Sequence, residues 1–154
     1  RCGYKKEPPV HAGRISFRLG RAIPLGEGDD ATVVFTGTIG NQALPAIECL
    51  RKDGIRCRAL SMHTVKPIDK AALLKAARET GAIVTVEEHQ LQGGLGSAVA
   101  EALCDAGAAP RRFLRLGLPD GYVSRVGTHE WLLDQYGLSA PKIARRVKAW
   151  LARR

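Results

Sequence analysis

Apolar side chains recur along this chain at two spacings, and the alternation between those spacings predicts the fold. Residues 31–36, 56–62, 83–86 and 112–118 are short apolar or β-branched runs, dense enough for strands buried on both faces. Residues 18–25 form a weaker strand candidate, and Pro24 within them removes a ladder donor, which predicts an edge position. Between the runs the apolar period lengthens to that of helices. Residues 37–41 lead into a helix ending near Asp53, with Leu44, Ile47 and Leu50 on one face; Pro45 is tolerable there only if the helix starts close before it. Asp69 is the expected cap of a helix through Thr80 that turns Leu73, Ala76 and Ala77 inward and stops at Gly81. Leu95, Val99, Ala102, Leu103 and Ala106 mark a helix over 93–107. Thr128 caps a short helix with Trp131, Leu132 and Tyr136, and Ser139 caps a last one with Ile143, Val147, Trp150 and Leu151. Strands alternating with helices in this way imply right-handed crossovers. The expected fold is a three-layer α/β/α domain with a mainly parallel five-stranded sheet whose first strand lies at an edge.

One stretch stands out against this background. Residues 83–101 read as a buried strand, a turn carrying Glu87, Glu88 and His89, a glycine-rich bend with Gly93, Gly94, Gly96 and Ser97, and a helix. In open α/β sheets, ligands bind at the carboxyl ends of the strands, so these residues occupy the chemically interesting edge. The strand over 56–62 delivers His63 and Thr64 to the same edge.

Composition narrows the class. At 154 residues, with 45% hydrophobic and 25% charged side chains, the chain suits one soluble domain. No apolar run approaches the roughly 18 residues of a membrane helix. The formal charge of +9 sits at the ends. Residues 1–26 carry six Lys/Arg against Glu7 alone and residues 139–154 carry six with no acid, whereas twelve basic and fourteen acidic side chains lie between. A near-neutral body with only 5% aromatic residues argues against a nucleic-acid protein. Cys2, Cys49, Cys57 and Cys104 form no CxxC pair, which argues against a zinc site or disulfide scaffold and for a reducing, cytoplasmic setting. Residues 1–9 have neither the apolar core of a signal peptide nor an initiating Met, and the expectation is a section of a longer chain.

The candidate chemistry is then weighed residue by residue. Glu87, Glu88 and His89 could form an acid/base cluster. Adjacent residues on an extended segment point to opposite sides, however, so we favour a structural role in which one Glu meets a neighbouring helix or an Arg. Gly93, Gly94, Gly96 and Ser97 at a helix start could hold an anion on free backbone amides. Their spacing is neither a Rossmann fingerprint nor a P-loop, and a tight turn with close helix packing explains them equally well. His11 and His129 have no sequence neighbours that point to metal or catalysis, and no Cys or Ser has a nucleophile's context.

Three blocks together resemble a known family. Residues 62–69 (Met-His-Thr-Val-Lys-Pro-Ile-Asp), 79–89 (ending Glu-Glu-His) and 93–101 (Gly-Gly-Leu-Gly-Ser-Ala-Val-Ala-Glu) are similar, in order and spacing, to the C-terminal domain of transketolase-family, thiamine-diphosphate-dependent enzymes. Thr36-Gly37 and residues 134–138 fit the same pattern, while Pro45 and His129 depart from it. Related domains occur in 1-deoxyxylulose-5-phosphate synthases and in the β subunits of 2-oxo-acid dehydrogenases. The resemblance implies a connector over 1–17 arriving from an upstream domain and a transketolase C-terminal-like domain over 18–154. It implies a two-carbon ketol transferase when complete, a homodimer, and upstream cofactor-binding domains on the same or a companion chain. Thiamine diphosphate and Mg²⁺ belong to those domains. The Gly-Asp-Gly motif with its downstream Asn that holds them is missing here, as is the pyrimidine-binding segment with its activating Glu. This chain alone is therefore expected to bind no cofactor and to have no catalytic residue. The alternative from another class is a stand-alone anion- or metabolite-binding module using the glycine-rich helix start.

Overall fold

Five strands, five α-helices and a short 3₁₀ helix (Gly37–Ile39) make up the regular structure in a computed structural model that describes residues 8–11 and 13–153. The strands are β1 (Ile23–Gly26), β2 (Ala31–Phe35), β3 (Cys57–Ser61), β4 (Ala82–Gln90) and β5 (Arg112–Leu118). The helices are α1 (Gly40–Lys52), α2 (Lys70–Glu79), α3 (Leu95–Asp105), α4 (His129–Gln135) and α5 (Ala140–Ala152). The sheet order is β1-β3-β2-β4-β5, with every neighbouring pair parallel except β1 against β3. Pro24 thus lies on an edge strand, as its missing N–H demands, although that strand begins at Ile23 rather than near residue 18.

The pleat divides the core in two. Val33, Phe35, Val84 and Val86 face α1 and α5, whereas Val34 and Ile83 face α2 and α3, giving helices on both sides of the sheet. β2 is buried along its whole length, as a central parallel strand should be. The helix faces differ in detail from the sequence expectation. Gly40, Ala43, Ala46 and Leu50 form the buried stripe of α1, and Leu44 and Ile47 flank it. A Cβ on Gly40 would lie 2.7 Å from the Phe35 ring, so small residues let this helix sit close to the sheet. In α3 the stripe ends at Leu103, and Ala106 is exposed. In α4 the buried residue is Leu133, while Trp131 is 43% exposed.

Pro45 lies inside α1, five residues beyond its start, and leaves the Asn41 carbonyl without its helical donor. The helix therefore does not begin just before the proline. Ser139 occupies the position before α5, but its hydroxyl donates to Asp134 (2.7 Å) and accepts from no amide of the helix start. Glu87, Glu88 and His89 continue β4 as strand and do not form a turn; the bend comes later, over 91–94. Of the expected connector, residues 1–7 lie outside the described residues, and residues 14–18 adopt no regular structure.

Asp69 ties the edge strand to the helical layer. Its carboxylate accepts from the Ala72 amide in the first turn of α2 (3.1 Å) and from the Ala22 amide just before β1 (2.9 Å), with Arg21 3.5 Å away. Asp69→Ala should cost about 2–3 kcal/mol, the sum of a lost helix cap and a half-buried amide left unsatisfied. Urea unfolding checks this, and Asp69→Asn, which keeps an acceptor, should recover most of the loss.

Candidate functional site

The period of two along β4 decides what each polar residue at its carboxyl end can do. Thr85 and Glu87 project toward α3, and Glu88 emerges on the opposite side. The Glu87 side chain is fully buried. One carboxylate oxygen accepts from the Leu95 amide (2.6 Å) and the other from the Gly96 amide (2.8 Å), the first two N–H groups of α3. A carboxylate suits this position because the amides are otherwise orphans and the helix dipole is positive there.

The surrounding glycines follow from how tightly that carboxylate is enclosed. A Cβ on Gly94 would lie 1.9 Å from Glu87 Oε2. One on Gly96 would lie 2.8 Å from Thr85 Oγ1 and 2.7 Å from Arg115 Cδ. Gly117, on neighbouring β5, would place a Cβ 3.2 Å from Glu87 Cγ and 2.9 Å from the His89 carbonyl. Gly93 alone needs glycine for its backbone, with φ +70° in the bend. Ser97 closes the loop: its hydroxyl donates to the Leu91 carbonyl (3.0 Å) and accepts from the Gly93 amide (3.1 Å). Arg115 donates to the same Leu91 carbonyl at 3.1 Å.

Glu88 pairs with His129, the first residue of α4, at 2.8 Å. His89 is exposed, its Nδ1 2.9 Å from the Gln90 carbonyl. His63 lies at the end of β3, with Nδ1 2.8 Å from Thr64 Oγ1 and its ring against Phe17, the centroids 4.5 Å apart. Its buried Nε2 has no hydrogen-bond partner among the described residues, nor does Thr85 Oγ1. The fold therefore joins Glu87 to the glycine loop and Glu88 to His129, and turns the two glutamates away from each other. Cys57 is no nucleophile either, because burial, with a smaller push from Asp30, raises its thiol to about 12. Among the described residues no three His, Cys, Asp or Glu side chains gather as metal ligands. With the α3 amides taken by Glu87, the donor set of this edge does not fit a magnesium diphosphate.

Two of these contacts were missed along the sequence, and only one of them left no signal there. The Glu88–His129 pair spans 41 positions, and no spacing rule links them. Arg115 did leave a signal, a charged residue in the middle of a strand flanked by leucines, which in a packed sheet requires a nearby acceptor.

Fold and site together define an α/β domain in which the carboxyl edge of the sheet is largely bonded to itself. The sequence profile described as "Transketolase, C-terminal domain" matches residues 20–143, and the chain belongs to that family. A putative uncharacterized transketolase family protein of Sinorhizobium fredii is 40% identical over 136 residues, covering 88% of this chain and 39% of its own length. The 1-deoxy-D-xylulose-5-phosphate synthase 1 of Geobacter sulfurreducens is 41% identical over 147 residues, covering 96% of this chain and 22% of its own length. Among solved structures, a split-gene transketolase described as an inactive β4 tetramer superposes with a TM-score of 0.84 at 40% identity, covering 94% of this chain and 46% of that one. A mutant transketolase from Pichia stipitis shares the fold, with a TM-score of 0.60 at 18% identity. The chain thus spans less than half the length of each of these relatives.

The enclosure of Glu87 yields a coupled prediction. Glu87→Ala should cost about 2–4 kcal/mol, since two amides at a buried helix start lose their acceptor. Gly94→Ala should cost about 1–3 kcal/mol through overpacking. The double variant should be more stable than the sum of the two by at least about 1 kcal/mol, because truncating Glu87 vacates the space the new methyl needs. Urea unfolding of all four proteins measures this, and additive costs would show that the two positions do not compete for space.

Proposed function

We propose that this chain is the C-terminal section of a thiamine-diphosphate-dependent transketolase, which transfers a two-carbon ketol unit between sugar phosphates when complete. In this reading the domain supports assembly of a dimeric enzyme. Thiamine diphosphate and Mg²⁺ are held by upstream domains of the same or a companion chain. The observation that carries the assignment is the family match over residues 20–143, while the double hydrogen bond from the α3 start to Glu87 commits that helix end to the protein's own carboxylate. That bond weighs against a stand-alone anion-binding module. The companion-chain arrangement draws support from a relative whose name marks it as one of several chains. This 6-deoxy-6-sulfo-D-fructose transketolase subunit from a Clostridium species is 43% identical over 129 residues, covering 84% of this chain and 39% of its own length. Cys49, Cys57 and Cys104 are free, in keeping with a cytoplasmic enzyme, and no helix among the described residues is long and apolar enough to cross a membrane.

A second reading, 1-deoxy-D-xylulose-5-phosphate synthase, is favoured by the 41% identity to the Geobacter sulfurreducens synthase over 96% of this chain. Both readings use the same cofactor, and the product separates them. The complete enzyme, prepared with its cofactor-binding section, should transfer a two-carbon unit between sugar phosphates. Formation of 1-deoxy-D-xylulose 5-phosphate instead would establish the second reading. The 154-residue chain alone should show no turnover and no thiamine diphosphate binding with Mg²⁺ at millimolar cofactor. Saturable micromolar binding by this chain would contradict the division of labour.

A further inference from the structure

Exposed apolar side chains in this domain are not scattered. Ile15, Phe17 and Leu19, exposed by 43%, 60% and 70%, lie in the segment that crosses the carboxyl end of β3, where His11 meets Ser61 and Phe17 stacks on His63. Val65 follows β3 at the same edge. Tyr122, Val123 and Val126, at 104%, 49% and 97%, occupy the loop after the carboxyl end of β5. Trp131 follows in α4, whose first residue is held to the end of β4 by the Glu88–His129 pair. The large exposed hydrophobics of the described residues are thus confined to segments at one edge of the sheet.

Exposed apolar side chains gathered along one edge in this way mark a surface that meets another protein. The area is wasted on water unless something covers it. The course of the chain points to the occupant. The Pro8 carbonyl accepts from Asn41 Nδ2 (2.9 Å), next to the start of α1, so the segment preceding the domain reaches it at this same edge. The relatives carry more than half of their length outside this domain.

We propose that the carboxyl edge of the sheet is the face on which the cofactor-binding part of the enzyme docks, with the 119–128 loop and the 13–19 segment as its apolar contacts. The inference rests on the function proposed above and adds where the two parts meet. The edge that binds small ligands in other open sheets is used here for a protein surface.

Hydrogen exchange of the assembled enzyme against the isolated chain, combined with Tyr122→Ser/Val126→Ser, tests this. Both residues are almost fully exposed, so the variant should unfold at the same urea concentration as the parent. Assembly should protect residues 15–19 and 121–131, and the variant should weaken association at least tenfold. Glu101→Lys/Asp105→Lys, on the exposed side of α3, should leave association unchanged. An enzyme that assembles and turns over with thiamine diphosphate but shows protection elsewhere, or is indifferent to the variant, overturns the docking face and leaves the functional reading standing. Self-association of the isolated chain that the variant abolishes would assign the face to a second copy and overturn the proposal. Failure of any cofactor-binding assembly to form would overturn both.

Discussion

Glu87 is a fully buried carboxylate, and the shape of the sheet's carboxyl edge follows from how its two oxygens are satisfied. An acidic side chain removed from water is tolerable only when donors replace the lost hydration. The Leu95 and Gly96 amides do so, at the positive end of α3, and such charge-assisted bonds are worth about 1.5–3 kcal/mol each. Bringing the helix start that close to β4 leaves no room for a side chain at 94 or 96, or on β5 at 117. Gly94 is thus the direct steric consequence of the acid–helix contact, Gly96 of the close approach of the helix to Thr85 and Arg115, and Gly93 of the positive φ in the bend. Ser97 and Arg115 close that bend over Leu91.

A glycine-rich loop opening a helix after a strand invites the reading of a phosphate cradle, and in this fold the same geometry serves a different end. The anion is supplied from within, and it clamps α3 to the strand that precedes it. The neighbouring Glu88, sent to the other face by the pleat, clamps α4 through His129. Two adjacent acids therefore anchor two helices on opposite sides of the sheet. At this edge the amides of the α3 start and the Glu88 carboxylate are already bonded within the domain.

Much of this was legible from the sequence because it rests on local rules. Burial on both faces gives β2 and β4 their unbroken apolar runs, Pro24 can only lie at an edge, and Asp69 sits where an N-cap belongs. The opposite orientation of Glu87 and Glu88 follows from strand geometry alone, whereas whether one of them met a neighbouring helix or an Arg was left open until the fold placed Glu87 on the α3 start. What was not legible depends on tertiary distance. The inward face of α1 is set by how closely Phe35 lets the helix approach, which favours Ala43 and Ala46 over Leu44 and Ile47. Pro45 is accommodated inside the helix at the expense of one hydrogen bond, which no propensity scale foresees. No inward face was assigned from the sequence to the short helix after Thr128, and Leu133 with Leu138 fills that part of the core while Trp131 stays 43% exposed. The partner of Glu88 could be found only by folding the chain.

The central claim is that the α3 start is closed by Glu87 and unavailable to outside anions. The direct measurement is an amide-resolved NMR titration of the isolated chain with inorganic phosphate and with a sugar phosphate, following the Leu95 and Gly96 resonances. The account predicts that neither amide shifts through millimolar ligand, and that both keep the downfield position of N–H groups bonded to a carboxylate. A saturable shift confined to Leu95, Gly96 and the residues beside them would show that the loop takes an external anion, and would contradict it.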